Sequence, residues 1–509
     1  MSRYRYVGGD ILKTTGGSYK IYSDENIEIN SNNKIIQNGQ QNGVTFNTPR
    51  NPPTLEKITT DCVVEFRTKQ DGTYTGQFGF DWLRVDDNGL TTEAKYYDCI
   101  ENGYEAPNGR APHRDANNVY ESKDEAYKAL KKQYKKITIN IIPKPAVAPF
   151  TKDYFVPYLN IFPKPVSDAA TVPAGMPKPP FEVELRTLVE VGGTDEPDQI
   201  RVVFDKRYFE INGLNGDDAN PVLITNKALG AKREATADVL KIKCIADYGT
   251  DQAIKVFVYP KGSLARTLPE QLAKRKLAGK IIVFANENSA GAHPVKNVKT
   301  QKFVLVNVIT NTLGSSRNNT GAINNIEKIN LYNALYQGLV FPEIPLEITL
   351  DVTADDNFKV TGSTGTRGKY VDTSGRIIRT EPTLNSYMRQ LVNSATANIY
   401  VGSFYAFCFD LQDSTRNVGG RVEDIGKKSV VLYQGRDNFT LNHESLHGLG
   451  LLHTHKDGTI TSPDQKFTFI HASTDASKAT DNIMTYQPDG KTTWRWQWKI
   501  IRKNIIWKR

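Results

Sequence analysis

Cysteine is scarce in this chain, with four in 509 residues, and Cys62, Cys99, Cys244 and Cys408 lie far apart with no C-x-x-C pair. That usage excludes a disulfide-built scaffold and a zinc ribbon, and leaves a Cys62–Cys99 bridge merely open. Long apolar runs are missing too. None approaches the ~18 residues that span a bilayer, so no integral membrane segment is expected. The stretch from Met1 to Asp10 lacks the apolar core of a signal peptide. The expectation is a protein made in the cytoplasm that either stays there or leaves by a non-classical route. Neither sign of charge dominates: the net charge is +9, mildly basic for this length.

Histidine is also rare, and its distribution is uneven. Of seven histidines, four (His443, His447, His453 and His455) fall within thirteen residues. The segment from Asn442 to His453 reads H-E-x-x-H-x-x-G-x-x-H. On a helix, residues four apart share a face, so His443 and His447 can bind one metal ion. Glu444 is placed to act as general base on a water at that metal. Gly450 can take the positive φ that ends the helix and brings His453 round as third ligand. Three protein ligands leave a fourth position open, the mark of a catalytic rather than structural Zn2+. The competing reading is a histidine-bearing core helix, which would need three buried imidazoles and a buried carboxylate satisfied by other means. His455 points to the same side as His453 in an extended segment, but the Gly-x-x-His spacing favours His453. His113, His293 and His471 have no metal-ligand spacing.

This motif resembles that of the metzincin metallopeptidases. Their second hallmark is a methionine-containing turn beneath the zinc. Asp481-Asn482-Ile483-Met484-Thr485-Tyr486 stands about thirty residues after His453, a distance that suits such a turn. The resemblance implies that Met484 forms an apolar floor under the imidazoles. It also implies that Tyr486 ligates zinc or hydrogen-bonds the tetrahedral intermediate; a packed aromatic after a turn is the other reading. In the same family an edge strand precedes the active helix and pairs with extended substrate. Residues 428–433 read as that strand.

Elsewhere the chain divides by composition. Residues 1–54 include four degenerate octads at 18–49, which resemble the β-helices of contractile injection spikes; short hairpins are the alternative. Residues 55–142 read as an α+β module, with strands at 63–67 and 79–85 and a helix at 122–136 opened by a Ser122/Glu125 capping box. Ten prolines crowd into 143–180, a stiff extended connector. Residues 181–312 read as an immunoglobulin-like sandwich, with strands near 181–191, 200–204, 239–245, 253–259, 280–285 and 302–309. The FGFDWLR segment and this sandwich resemble an amino-terminal region of secretion-linked Bacteroidetes proteins, type VI-like effector modules. Residues 313–509 read as a metzincin-like α/β domain. It opens on a helix striped by Ile326, Ile329, Leu335 and Leu339, followed by a strand at 346–352, a helix at 384–397 and a strand at 399–409. Four tryptophans and seven cations share the C-terminal stretch, but Trp494, Trp498, Ile501 and Ile505 fall at helical spacing, as on a packed terminal helix rather than a nucleic-acid or membrane surface.

The expectation is therefore a multi-domain α+β protein with a C-terminal zinc endopeptidase acting on protein or peptide substrates. Its amino-terminal modules suggest a secreted effector or toxin carried by a contractile apparatus. Two alternatives stand beside it: an intracellular peptidase whose β-domains recruit substrates, and a non-catalytic binding protein with a peptidase-like fold.

Overall fold

The computed structural model describes residues 56–84 without 70–71, then 94–100, 123–139, 153–287 without 231–233, and 297–505 without 345–346, 362–365, 380–382, 456–466, 472 and 487–489. The octads, Ser122 of the expected capping box and residues 143–152 lie outside the described residues. What is described is mixed α+β, with several sheets and eight α-helices among those residues.

Two sheets face each other across one apolar core. The first has six strands, in the order Val222–Ile224, Gln199–Val203, Gln252–Tyr259, Lys276–Val283, Tyr158–Asn160 and Gly79–Asp81. The second runs Cys62–Thr68, Glu182–Val191, Glu234–Cys244 and Phe209–Ile211. The period of two makes this possible: in Gln252–Tyr259, Ile254, Val256 and Val258 point inward while Lys255 and Phe257 are half-exposed. They meet Val64, Phe66, Leu185 and Ile242 from the opposite sheet.

The second body is a mostly parallel sheet. Its central strand, Lys299–Thr310, is flanked in parallel by Val340–Glu343 and Glu347–Asp351 on one side and Phe404–Cys408 on the other. Ser429–Leu432 follows in parallel, and Gly420–Val422 closes the sheet as an antiparallel edge. Both faces are covered. Phe303 and Leu305 pack with Leu331, Leu335, Leu441 and Leu446 from the helices Asn325–Tyr336 and Thr440–Gly448. Val304, Val306 and Val308 pack with Leu384, Met388 and Val392 of the helix Thr383–Ala395.

Several sequence expectations change here. The 302–309 strand, expected in the sandwich, is the centre of the parallel sheet. A strand buried on both faces is a continuous apolar run, and such a run does not announce its sheet. Strands from the 55–142 stretch also join the sandwich sheets: Cys62–Thr68 pairs with Glu182–Val191, and Gly79–Asp81 with Tyr158–Asn160. The described part of the proline-rich stretch is not simply extended, since it holds two short strands and the helix Lys164–Ala169. The 428–433 strand is interior, and the edge is Gly420–Val422, which its single apolar side chain had hidden. Of the expected stripe, Leu335 and Leu339 are buried and Ile329 packs on the core, but Ile326 is 55 % exposed, and Leu331 and Tyr332 turn inward in addition. The terminal helix Arg495–Lys503 is as expected, with Trp494, Trp498, Ile501 and Ile505 all buried. All four cysteines are buried free thiols, so no Cys62–Cys99 bridge forms. No described helix is long and apolar enough to cross a membrane.

Candidate metal centre

The histidine helix, Thr440–Gly448, is short and held at both ends. Before it, the Asp437 carboxylate accepts hydrogen bonds from the Phe439 N–H and the Thr440 hydroxyl, each at 2.9 Å. A carboxylate just before the first turn suits the positive end of a helix. Past its end, Gly450 sits at φ +96°, where a Cβ would collide with the Asn504 amide. The Leu451 N–H then returns to the Leu446 carbonyl at 3.0 Å, which sends His453 back alongside the helix.

The result brings three ring nitrogens together. Nε2 of His443 lies 3.1 Å from Nε2 of His447 and 3.1 Å from Nε2 of His453, and the last two are 3.0 Å apart. All three residues are buried. The tautomers follow from the other ring nitrogens. Nδ1 of His443 donates to the Ile483 carbonyl at 2.9 Å, and Nδ1 of His447 donates to the Leu451 carbonyl at 2.7 Å. A carbonyl only accepts, so in the neutral rings both Nε2 atoms carry lone pairs aimed at one point. Protonation does not relieve them: burial, helped by the His453 ring, pushes His443 down to about 3, and His447 falls well below its usual range.

Converging bare nitrogens repel one another, and a cation between them turns that repulsion into coordination. The spacing fits as well, since two nitrogens at zinc-ligand distance in a tetrahedral site are separated by roughly 3.3 Å. A backbone carbonyl behind each of two imidazoles is the usual way a protein orients histidine ligands. The donor set therefore fits a divalent cation of the zinc class.

Glu444 follows the first histidine. Its carboxylate accepts the Val422 N–H of the edge strand at 2.8 Å. Burial lifts its pKa to about 7, with the Val422 bond and the charges of Arg379 and Arg421 pulling the other way. Such a group takes up and releases protons near neutrality. The edge strand comes this close because residue 420 is glycine: a Cβ there would lie 2.5 Å from Thr440 Cγ2 and 3.0 Å from Glu444 Cγ.

Tyr486 and the backbone of Met484 are brought to the centre. Met484 is fully buried in the same apolar core as Leu446 and Leu451, and its carbonyl accepts the Thr454 N–H at 3.1 Å. Tyr486 remains 60 % exposed, with its ring 5.5 Å from that of His443 and 4.8 Å from that of His453. His455 lies outside the triad but is buried and stacks on His453 at 4.7 Å. His113 and His293 lie outside the described residues.

Sequence reasoning missed His471. Its ring meets His455 edge-on at 4.5 Å and Tyr486 at 5.8 Å, while its Nδ1 accepts from the Ser473 N–H at 3.0 Å. No spacing rule flags a histidine that arrives from another segment. The Val422 N–H, Arg379, Arg421 and the two carbonyl orienters were equally invisible in the sequence. No family model matches the chain, and neither curated proteins nor solved structures yield a match.

Proposed function

We propose that this chain is a zinc-dependent endopeptidase of metzincin type, with His443, His447 and His453 as ligands. The observation that carries the reading is the convergence of three Nε2 atoms at 3.0–3.1 Å, two of them bare, beside a glutamate tethered to a sheet edge.

Zinc held there supplies a Lewis acid for the scissile carbonyl and lowers the pKa of a water towards ~7. The chain's own residues do the rest. Glu444 takes a proton from the attacking water and passes it to the leaving amine. The Tyr486 phenol, exposed beside two of the ligands, donates a hydrogen bond to the carbonyl oxygen as negative charge builds on it. Substrate enters as an extended strand along Gly420–Val422. Glu423 N–H and Gly419 C=O face the inner neighbour, so by alternation the groups of residues 420 and 422 face outward. Backbone pairing of this kind selects peptides over other substrates.

The two-sheet body is read as immunoglobulin-like, a spacer or docking module. Delivery as a secreted effector rests on the octads; unchanged release from the producing cell after deletion of residues 1–50 would remove it. A non-catalytic binding role is disfavoured by Glu444, which a passive metal site does not need.

The deciding comparison is the parent against Glu444→Gln, assayed for metal content and for cleavage of a denatured protein. Both should hold about one zinc per chain, while cleavage by the variant drops by about 10²–10⁴-fold. Equal cleavage would overturn the mechanism, and a zinc-free parent would overturn the site.

A further inference from the structure

The turn Asp481–Met484 touches the metal centre twice through its backbone. The Ile483 carbonyl orients His443, and the Met484 carbonyl holds Thr454, the residue after His453. Whatever fixes this turn therefore helps fix two of the three ligands. Within the C-terminal region, Ile483 N–H bonds the Thr492 carbonyl at 2.8 Å, and the Asn482 and Gln497 amides pair at 2.8 and 3.2 Å.

Asp481 takes the Thr492 hydroxyl on its carboxylate at 3.0 Å, and a further anchor on that carboxylate comes from far upstream. Nη2 of Arg84, 397 positions before its partner, donates to the Asp481 carboxylate at 3.0 Å. Arg84 is only 6 % exposed. Its guanidinium lies over the Trp82 ring at 4.0 Å and near the Tyr96 ring at 4.8 Å, and it also donates to the Tyr96 hydroxyl. A planar cation packed on two aromatics has little freedom left, so it can hold a carboxylate in a fixed place.

Residues 96–100 make a second link to the same centre. Cys99 C=O accepts the Ile470 N–H at 2.7 Å, and Ile100 forms a β-bridge with Phe469. Phe469 N–H in turn donates to Thr454 C=O at 2.7 Å. The Tyr96 and Phe469 rings both pack on Trp494, at 5.2 and 4.7 Å. Residues 82–84 and 96–100 are thus attached both to the turn of the histidine site and to the segment behind its third ligand.

We propose that Arg84 is a positioning residue of the metal centre. Acting through Asp481, it sets the turn whose carbonyls orient His443 and secure His453. Residues 82–84 and 96–100 are then a working part of the site, not a removable inhibitor: detaching them loosens the ligands instead of unmasking them. This rests on the metal reading above. A pair that served as structural glue alone would change thermal stability and leave metal affinity where it was.

The test uses the full chain and a chromophoric chelator in competition for zinc, with thermal melting of the metal-free protein alongside. Arg84→Gln and Asp481→Ala are each expected to weaken zinc binding by about 3- to 10-fold, somewhat less than loss of a group in direct contact with a ligand. The double variant should bind zinc no more weakly than Asp481→Ala alone, which already removes the acceptor that Arg84 shares with the Thr492 hydroxyl. Arg84→Lys, which keeps the charge and loses the planar fork, falls between Arg84→Gln and the parent. It also serves if Arg84→Gln fails to fold. Zinc affinity within two-fold of the parent in these variants, alongside a lowered melting temperature, would overturn the proposal. A parent that takes up no zinc in the same titration would overturn the metal reading and this inference with it.

Discussion

Nδ1 of His443 donates to the carbonyl of Ile483 at 2.9 Å, across forty residues of sequence. The bond decides which ring nitrogen is bare, and hence that Nε2 faces His447 and His453. The same turn depends on Asn482, whose Oδ1 accepts the Met484 N–H at 2.9 Å and whose amide pairs with Gln497 in a fully buried setting. Asn482→Ala leaves the Met484 N–H and the Gln497 NH2 group without their acceptor, at about 1–3 kcal/mol for each, while the Gln497 oxygen keeps the Trp494 N–H. The expected outcome is a lower melting temperature together with zinc binding about 10-fold weaker. Chelator competition measures the second part, and unchanged affinity would detach the turn from the ligands.

Gly420 allows the histidine helix to approach the edge strand, and a Cβ would press on Thr440 and Glu444 together. Gly420→Ala should push strand and helix apart and displace the base more than the ligands. A drop in kcat of about 10²-fold is expected for a misplacement near 1 Å. Zinc content should stay at the parental level. Steady-state kinetics with metal analysis on the same preparation separates the two effects.

Tyr486 is exposed and contributes little to the core, so Tyr486→Phe should fold like the parent. Removing one donor to a developing oxyanion costs about 10²–10³-fold in kcat. KM and zinc affinity should move little. A kcat within a factor of two of the parent would reduce Tyr486 to a packed aromatic.

The metal-free protein should be acid-labile through its histidines. His443 is pushed from 6.5 to about 3 in the fold, chiefly by burial, and His447 shifts the same way. The unfolded chain therefore binds protons that the native chain refuses. This contribution to stability is complete above pH 6.5 and is lost as pH falls from there towards about 3. Melting curves of chelator-treated protein across that window should show a steady decline. His443→Asn, with one such group fewer, should decline less steeply.

The sequence made the histidine triad legible because its spacing is local. His443, His447 and Gly450 obey helix and turn geometry within a few residues, and His453 follows from the fold-back. The distance to Met484 was readable for the same reason. What escaped depends on pairing between distant segments. Nothing local in Gly420-Arg421-Val422 marks it as a sheet edge, because exposure on one side is set by what the rest of the chain leaves uncovered. The strand at 302–309 was found but placed in the wrong sheet, since a doubly buried strand has no polar face to indicate its neighbours. Arg84 looked like one charge in a strand-like segment; only its distance to Asp481 connects it with the histidines.

The hydrogen bond between Val422 and Glu444 has one more effect, on solubility. An outward N–H at the end of a short edge strand is a place where another molecule of the same protein can add a strand. In the resting protein Glu444 occupies that donor at 2.8 Å. Glu444→Ala would remove the base and uncover the edge in one step, so a preparation of that variant should self-associate as it is concentrated. Glu444→Gln keeps an acceptor oxygen on the donor, and light scattering should find it as monodisperse as the parent.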